Sequence, residues 1–169
     1  MKIHKLYLAT VTVALLSGCA YEYTPKTTKP LDEIHEFSSR NSVNLINGQP
    51  STDRVYFFRH HLYGDLHKWT DAAITIADRE LSKRGMTCKP DASKSLTLSI
   101  ESANTSVGWV TINSDVTMIV RASNGYTKTY SSNDFSVMMG NPRTEMDTAV
   151  TKLVAAMLND PQLVAFLTK

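Results

Sequence analysis

Apolar and polar positions change rhythm along the chain, and the changes mark its elements. Through "SLTLSIES" (95–102), Leu96, Leu98 and Ile100 alternate with Ser and Thr, the period of a half-buried strand. "WVTINSDVTMIVRAS" (109–123) continues the alternation, with Val116, Met118 and Val120 on one face. The Asn124-Gly125 pair is the turn a tight hairpin favours, and it leads into a third strand, "YTKTYSS". The polar alternate positions predict a sheet solvated on one face, as antiparallel sheets tolerate. Upstream, "RVYFFRHHLY" (54–63) is rich in aromatic and β-type residues and reads as a strand, with "SVNLI" as its partner or part of the same edge.

Between these strands the period lengthens. In "DLHKWTDAAITIADRELSKRG" (65–85), Trp69, Ala72, Ala73, Ile76, Ala77 and Leu81 recur at helical spacing. Asp65 can cap the start, Lys83 and Arg84 suit the end, and Gly85 can stop it. A second helix opens on Asn141-Pro142 and buries Met146, Val150, Leu153, Val154 and Met157; Asn159-Asp160-Pro161 breaks it before a short final turn or helix, "QLVAFL". The order β-α-β-β-β-α predicts an α+β, two-layer sandwich, a mainly antiparallel sheet with two principal helices on one face.

The first 20 residues follow another logic. Lys2 and Lys5 precede an apolar run from Leu6 to Leu16, broken only by Thr10 and Thr12, and a small-residue pair then leads to Cys19. The run is too short for a membrane span of about 20 residues; basic start, short apolar core and small residues are a secretory leader. Leu16-Ser17-Gly18-Cys19 resembles the lipobox of bacterial lipoproteins. That resemblance implies cleavage before Cys19, diacylglycerol on its sulfur and an acyl chain on its new α-amino group. Ala20 stands where aspartate would signal inner-membrane retention, so the implied location is the outer membrane, on its periplasmic face. Residues 1–18 are then the leader and 19–42 a lipidated tether, extended and solvated around Pro25 and Pro30, in which Leu31, Ile34 and Phe37 can form a brief helix or dock onto the domain. Residues 43–169 form a single domain.

Charge and cysteine content narrow the function. The formal charge of +2 is carried by Lys2 and Lys5, so the mature chain is neutral (2 − 2 = 0) and has no net electrostatic attraction for nucleic acid or for an anionic membrane surface. Hydrophobic residues at 42% and charged residues at 20% are ordinary for a folded domain. Cys88 follows the first helix and reads as a small buried hydrophobe rather than the disulfide partner of Cys19.

No residue set for chemistry assembles in the sequence. His60, His61 and His67, with Asp65, are the stretch that could attract a metal, yet neighbouring histidines on a strand point to opposite faces. There is no HExxH, spaced Cys/His set, G-x-S-x-G elbow or nucleotide-binding loop. No catalytic residue, metal or cofactor is expected. Tyr56, Phe58 and Tyr63 crowd one short region and are candidates for an exposed partner-binding patch or a pairing edge.

The helix near 66–84, the hairpin "VTMIVRASNGYTKTYS" and the ending "AVTKLVAAMLNDPQL", together with the lipobox, resemble small envelope lipoproteins of the YajG-like kind and the N-terminal domain of TolB-type proteins. The resemblance implies a non-enzymatic, lipid-anchored binding or assembly-accessory module, with an envelope protein or a second copy as partner. The alternatives are a metal-dependent hydrolase built on His60, His61 and His67, or a binder of small molecules or glycans.

Overall fold

The structure, a computed structural model, describes residues 21–31, 34–50, 54–57, 62–137 and 142–169. In chain order the elements are β1 (Tyr21–Glu22), β2 (Ser42–Asn47), β3 (Arg54–Phe57), β4 (Leu62–Asp65), α1 (Leu66–Lys83), β5 (Thr87–Cys88), β6 (Lys94–Val107), β7 (Thr111–Ala122), β8 (Thr127–Val137), α2 (Pro142–Leu158) and α3 (Pro161–Thr168). They form the expected two-layer α+β sandwich. One sheet has the order β5-β2-β6-β7-β8; a smaller one has the order β1-β4-β3.

The long strands pair as their alternation requires. Leu98 sits opposite Val120 and Ile100 opposite Met118, with Val120 opposite Lys128 on the far side. Leu96, Leu98, Ile100, Val116, Met118 and Val120 are completely buried beneath the helices. Gly125, at φ +90°, makes the turn between β7 and β8, a backbone state that costs a glycine nothing. The register slips between Ile100 and Ser102. There Thr70 of α1 accepts the Ile100 N–H at 3.1 Å while donating to the Leu66 carbonyl at 2.9 Å, which satisfies buried polar groups on both layers.

The long pairs β6–β7 and β7–β8 are antiparallel, as expected, and a shorter parallel part makes the large sheet mixed. β2 lies parallel to both β5 and β6. The cause is topological: α1 intervenes between β2 and the strands that flank it, and a crossover helix delivers the next strand in parallel. The run 54–63, expected as one strand, contributes instead to two; β3 and β4 pair antiparallel, with Tyr56 opposite Tyr63.

Both predicted helices form. Asp65 caps α1 by accepting the His67 N–H at 2.9 Å, and Trp69, Ala72, Ala73, Ile76, Ala77 and Leu81 are buried. α2 begins at Pro142 and buries its predicted stripe; Asn141 lies outside the described residues. Asp160, exposed by only 4%, caps α3 through the N–H groups of Gln162 and Leu163.

The segment read as a solvated tether is docked for most of its described length. Tyr23 and Pro25 are buried. The Tyr23 hydroxyl donates to Asp147 Oδ1 and lies 2.8 Å from the Arg143 carbonyl, in the first turns of α2, while its own carbonyl accepts the Trp69 indole N–H at 2.8 Å. Arg79 then holds the carbonyls of Thr27 and Lys29. Leu31, Ile34 and Phe37 pack against the core, the Ser39 N–H reaches the Arg84 carbonyl, and Asn41 Nδ2 reaches the Leu167 carbonyl. The segment therefore runs the length of the helical layer, from the first turns of α1 and α2 to their last. Extended prolyl chain was legible; its side-chain partners, 46 to 126 residues away, were not.

Candidate functional site

Of the histidine region, His67 belongs to a structural strap. His67 Nδ1 lies 2.8 Å from the Gln49 carbonyl, which can only accept, so this nitrogen carries a proton. Its Nε2 lies 3.7 Å from Asp71 Oδ2. Asn47 Nδ2 bridges the His67 carbonyl and Asp71 Oδ1 at 2.9 and 2.7 Å. Gln49 Oε1 in turn accepts from Ser99 at 2.6 Å. These bonds fasten the end of β2 to the first turn of α1. Asp65, a suggested ligand, is engaged as the helix cap. His60 and His61 lie outside the described residues, and among the described residues no three His, Cys, Asp or Glu side chains converge on a metal position.

The predicted aromatic patch is reached in part. Tyr63 is half-buried on β4, and its carbonyl accepts the Tyr23 N–H at 2.8 Å. Val55, beside it on β3, packs against the core. Phe58 and the side chain of Tyr56 lie outside the described residues.

A different apolar surface stands at the end of the sheet where β6 turns into β7. Gly108 N–H bonds the Thr111 carbonyl at 2.8 Å and closes a tight turn whose tip is Trp109, 93% exposed, followed by Val110 at 61%. Alongside, Thr111 faces Val137 and Asn113 faces Phe135 across the β7–β8 pair. Phe135 and Val137 occupy alternate positions of β8 on the face away from the helices and are 65% and 66% exposed. Their neighbours on that face, Ser131 and Asn133, are polar. Reading Trp109 as the opening of a strand concealed this site; the signal available was Gly108 immediately before it, a residue that favours a turn.

Two open depressions lie elsewhere on the described surface. One of about 580 Å³ is lined by Glu36, Phe37, Ser38, Glu80, Lys83 and Arg84. Glu80, nearly buried, is bound by Arg79, Lys83 and Arg84. Burial raises its pKa, but the hydrogen bonds from Lys83 and Arg79 outweigh that and hold it below the usual carboxylate value. The other, of about 200 Å³, includes Asp78 and Cys88. Burial, with a hydrogen bond to Asp78, pushes the Cys88 thiol up to about 12, so it is neutral and unreactive at physiological pH.

No family model and no curated protein matches the chain. Among solved structures it is similar to protein XCC0632 from Xanthomonas campestris, a DUF330 protein, at 10% identity and a TM-score of 0.52, covering 87% of this chain and 94% of that one. At such identity the likeness is one of fold. Lipoprotein GNA1162 from Neisseria meningitidis aligns at 14% identity and a TM-score of 0.39 over 71% of this chain and 99% of that one. A minor lipoprotein from Acinetobacter baumannii aligns at 11% identity and 0.38, over 77% and 92%.

Proposed function

We propose that this chain is a non-enzymatic lipoprotein of the bacterial envelope, anchored in the outer membrane through Cys19 and acting on the periplasmic side as a binding or assembly-accessory module. The observation that carries the reading is Leu16-Ser17-Gly18-Cys19, placed directly behind a basic start and a short apolar run. Acyl chains on one cysteine suffice for stable attachment, since each buried methylene contributes about 0.8 kcal/mol and two chains or more make release slow. No helix among the described residues is long and apolar enough to cross a membrane. The site geometry supports binding over catalysis: His67 and Asp65 hold elements together, and Asp160 and Glu80 are saturated with donors, whereas exposed apolar side chains gather at the end of the sheet.

Intact-mass measurement of protein recovered from the envelope tests the anchor. The expected product begins at Cys19 and carries the diacylglycerol and amide-linked acyl masses; Cys19→Ser should leave the membrane fraction. An uncut leader or a bare sulfur refutes the anchor. Metal analysis tests the enzymatic rival: a stoichiometric ion lost on changing His61 and His67 overturns the non-enzymatic reading.

A further inference from the structure

We infer that the end of the domain formed by the Gly108–Thr111 turn and the last residues of β8 seats in the lipid surface beside the anchor, so that the domain is held end-on against the bilayer. The inference rests on acylation of Cys19 and goes beyond it, because an anchor alone permits a domain to stand off on its tether.

Little chain is left between the anchor and the domain. Residues 23–31 and 34–41 are held along the helices at Tyr23, Arg79, Ser39 and Asn41, so they cannot act as a spacer. Tyr21 is already paired with Leu62 of β4. Only Ala20 separates Tyr21 from Cys19, and two extended residues reach at most about 7 Å. Whatever lies near Tyr21 therefore lies near the bilayer.

The docked segment descends from Tyr23, at the first turns of α1 and α2, to Asn41 near the C-terminal end of α3, which places Tyr21 at the upper end. β8 finishes at Val137, opposite Thr111, and α2 starts at Pro142; the Tyr23 hydroxyl meets the carbonyl of Arg143, the second residue of that helix. The Trp109 turn, the end of β8 and the departure toward Cys19 share one end of the molecule.

Between Glu101 and Asp115, and again between Asp134 and Arg143, the sequence carries no charged residue. Entry of this end into the headgroup region desolvates no ionised side chain of those two stretches. Of the large apolar side chains exposed among the described residues, Tyr21, Trp109, Val110, Phe135 and Val137 are at this end and only Ile46 is elsewhere. An indole has an apolar body and one N–H, the combination that favours the membrane–water interface. Seated so, Trp109 reaches the boundary between headgroups and acyl chains, and the Asn124-Gly125 turn and the Phe37 depression face away from the membrane.

The test uses the full lipidated protein in vesicles of phosphatidylethanolamine and phosphatidylglycerol, with and without brominated acyl chains. Trp109 and Trp69 are the chain's tryptophans, and Trp69 is completely buried. Bromine should quench the emission of Trp109, the interfacial ring, and spare that of the buried Trp69. Trp109→Ser should abolish the quenching, and Val110→Asp, which keeps the indole but adds a charge to the tip, should reduce it. Acylated protein whose emission is no more quenched than that of Trp109→Ser overturns the seating and leaves the anchor standing. A photo-cross-linker at position 109 that captures protein in place of lipid also overturns it. A bare Cys19 by mass removes the anchor itself, and with it the nearness of Tyr21 to the bilayer.

Discussion

The hydroxyl of Tyr126 donates to Asp160 Oδ2 at 2.9 Å, joining the start of β8 to the cap of the terminal helix. Tyr130 donates to the same oxygen at 3.2 Å, and Lys128 pairs with it. Burial raises the pKa of Asp160, but the Lys128 and Tyr126 hydrogen bonds, with the N–H groups of Leu163 and Gln162, more than offset it and hold the carboxyl well below its usual range. One carboxylate thus serves the helix cap and the sheet together.

This arrangement sets a pH dependence. A carboxylate whose folded pKa is depressed stabilises fully above its unfolded pKa, about 3.9, and loses that contribution as pH falls toward the folded value. Stability measured by denaturant titration should therefore drop below about pH 4. Asp160→Asn should flatten the acid limb and cost about 2 kcal/mol at neutral pH, chiefly through the tyrosine hydroxyls and the cap, because Lys128 is half exposed. An unchanged acid limb in that variant would sink the assignment.

Tyr23→Phe tests the docked segment. Burial first, then the hydrogen bond to Asp147, raises the Tyr23 pKa, so the phenol stays a neutral donor. Removing it strips Asp147 and the Arg143 carbonyl of a donor while leaving the edge-on packing against Trp69 at 6.1 Å between ring centroids. The expected loss is about 1–2 kcal/mol. Hydrogen exchange should quicken in residues 23–31 before it does in β6 and β7; uniform quickening throughout the domain would show that the segment is not a separately releasable unit.

Gly64→Ala should be more damaging than its size suggests. A Cβ at residue 64 would sit 2.7 Å from Trp69 Nε1 and 2.8 Å from Cε2, atoms of a rigid ring fixed by the Tyr23 carbonyl. Overpacking of this kind costs about 1–3 kcal/mol, read as a lowered melting temperature. Gly125→Ala, where a Cβ meets nothing within 4 Å but φ is +90°, separates backbone strain from crowding. A wild-type melting point for Gly64→Ala would show that β4 shifts freely against α1.

What the sequence made legible follows from the range of its signals. Leu96, Leu98 and Ile100, or Trp69, Ala73 and Ile76, declare their faces within a few residues, because strand and helix periods are local. The parallel placement of β2 could not be read from "SVNLI", since the crossover that imposes it lies in the connection. Tyr23 gave no hint of Asp147, 124 residues on. Trp109 fitted the alternation of the strand that follows it, and only the turn closed by Thr111 lifts it into solvent. Cys19 and the histidine pair His60 and His61 lie outside the described residues, so the lipidation motif stands on sequence alone.

Cys88 offers a readout of how tightly the edge of the sheet is held. It lies in β5, the two-residue edge strand beside β2, half-buried against the core. A short edge strand is the element with fewest bonds to lose, so its opening should precede global unfolding. With its thiol pushed up to about 12 by burial and the Asp78 hydrogen bond, the folded protein should resist alkylation near pH 8, and the unfolded chain should react at the rate of a free cysteine, with a pKa near about 8.5. Asp78→Asn should leave the thiol slow, because burial is the larger cause; exposure through local opening of β5 should instead make the rate follow added denaturant below the unfolding midpoint. Fast alkylation of Cys88 in the native protein at neutral pH would show that the thiol is neither buried nor neutral.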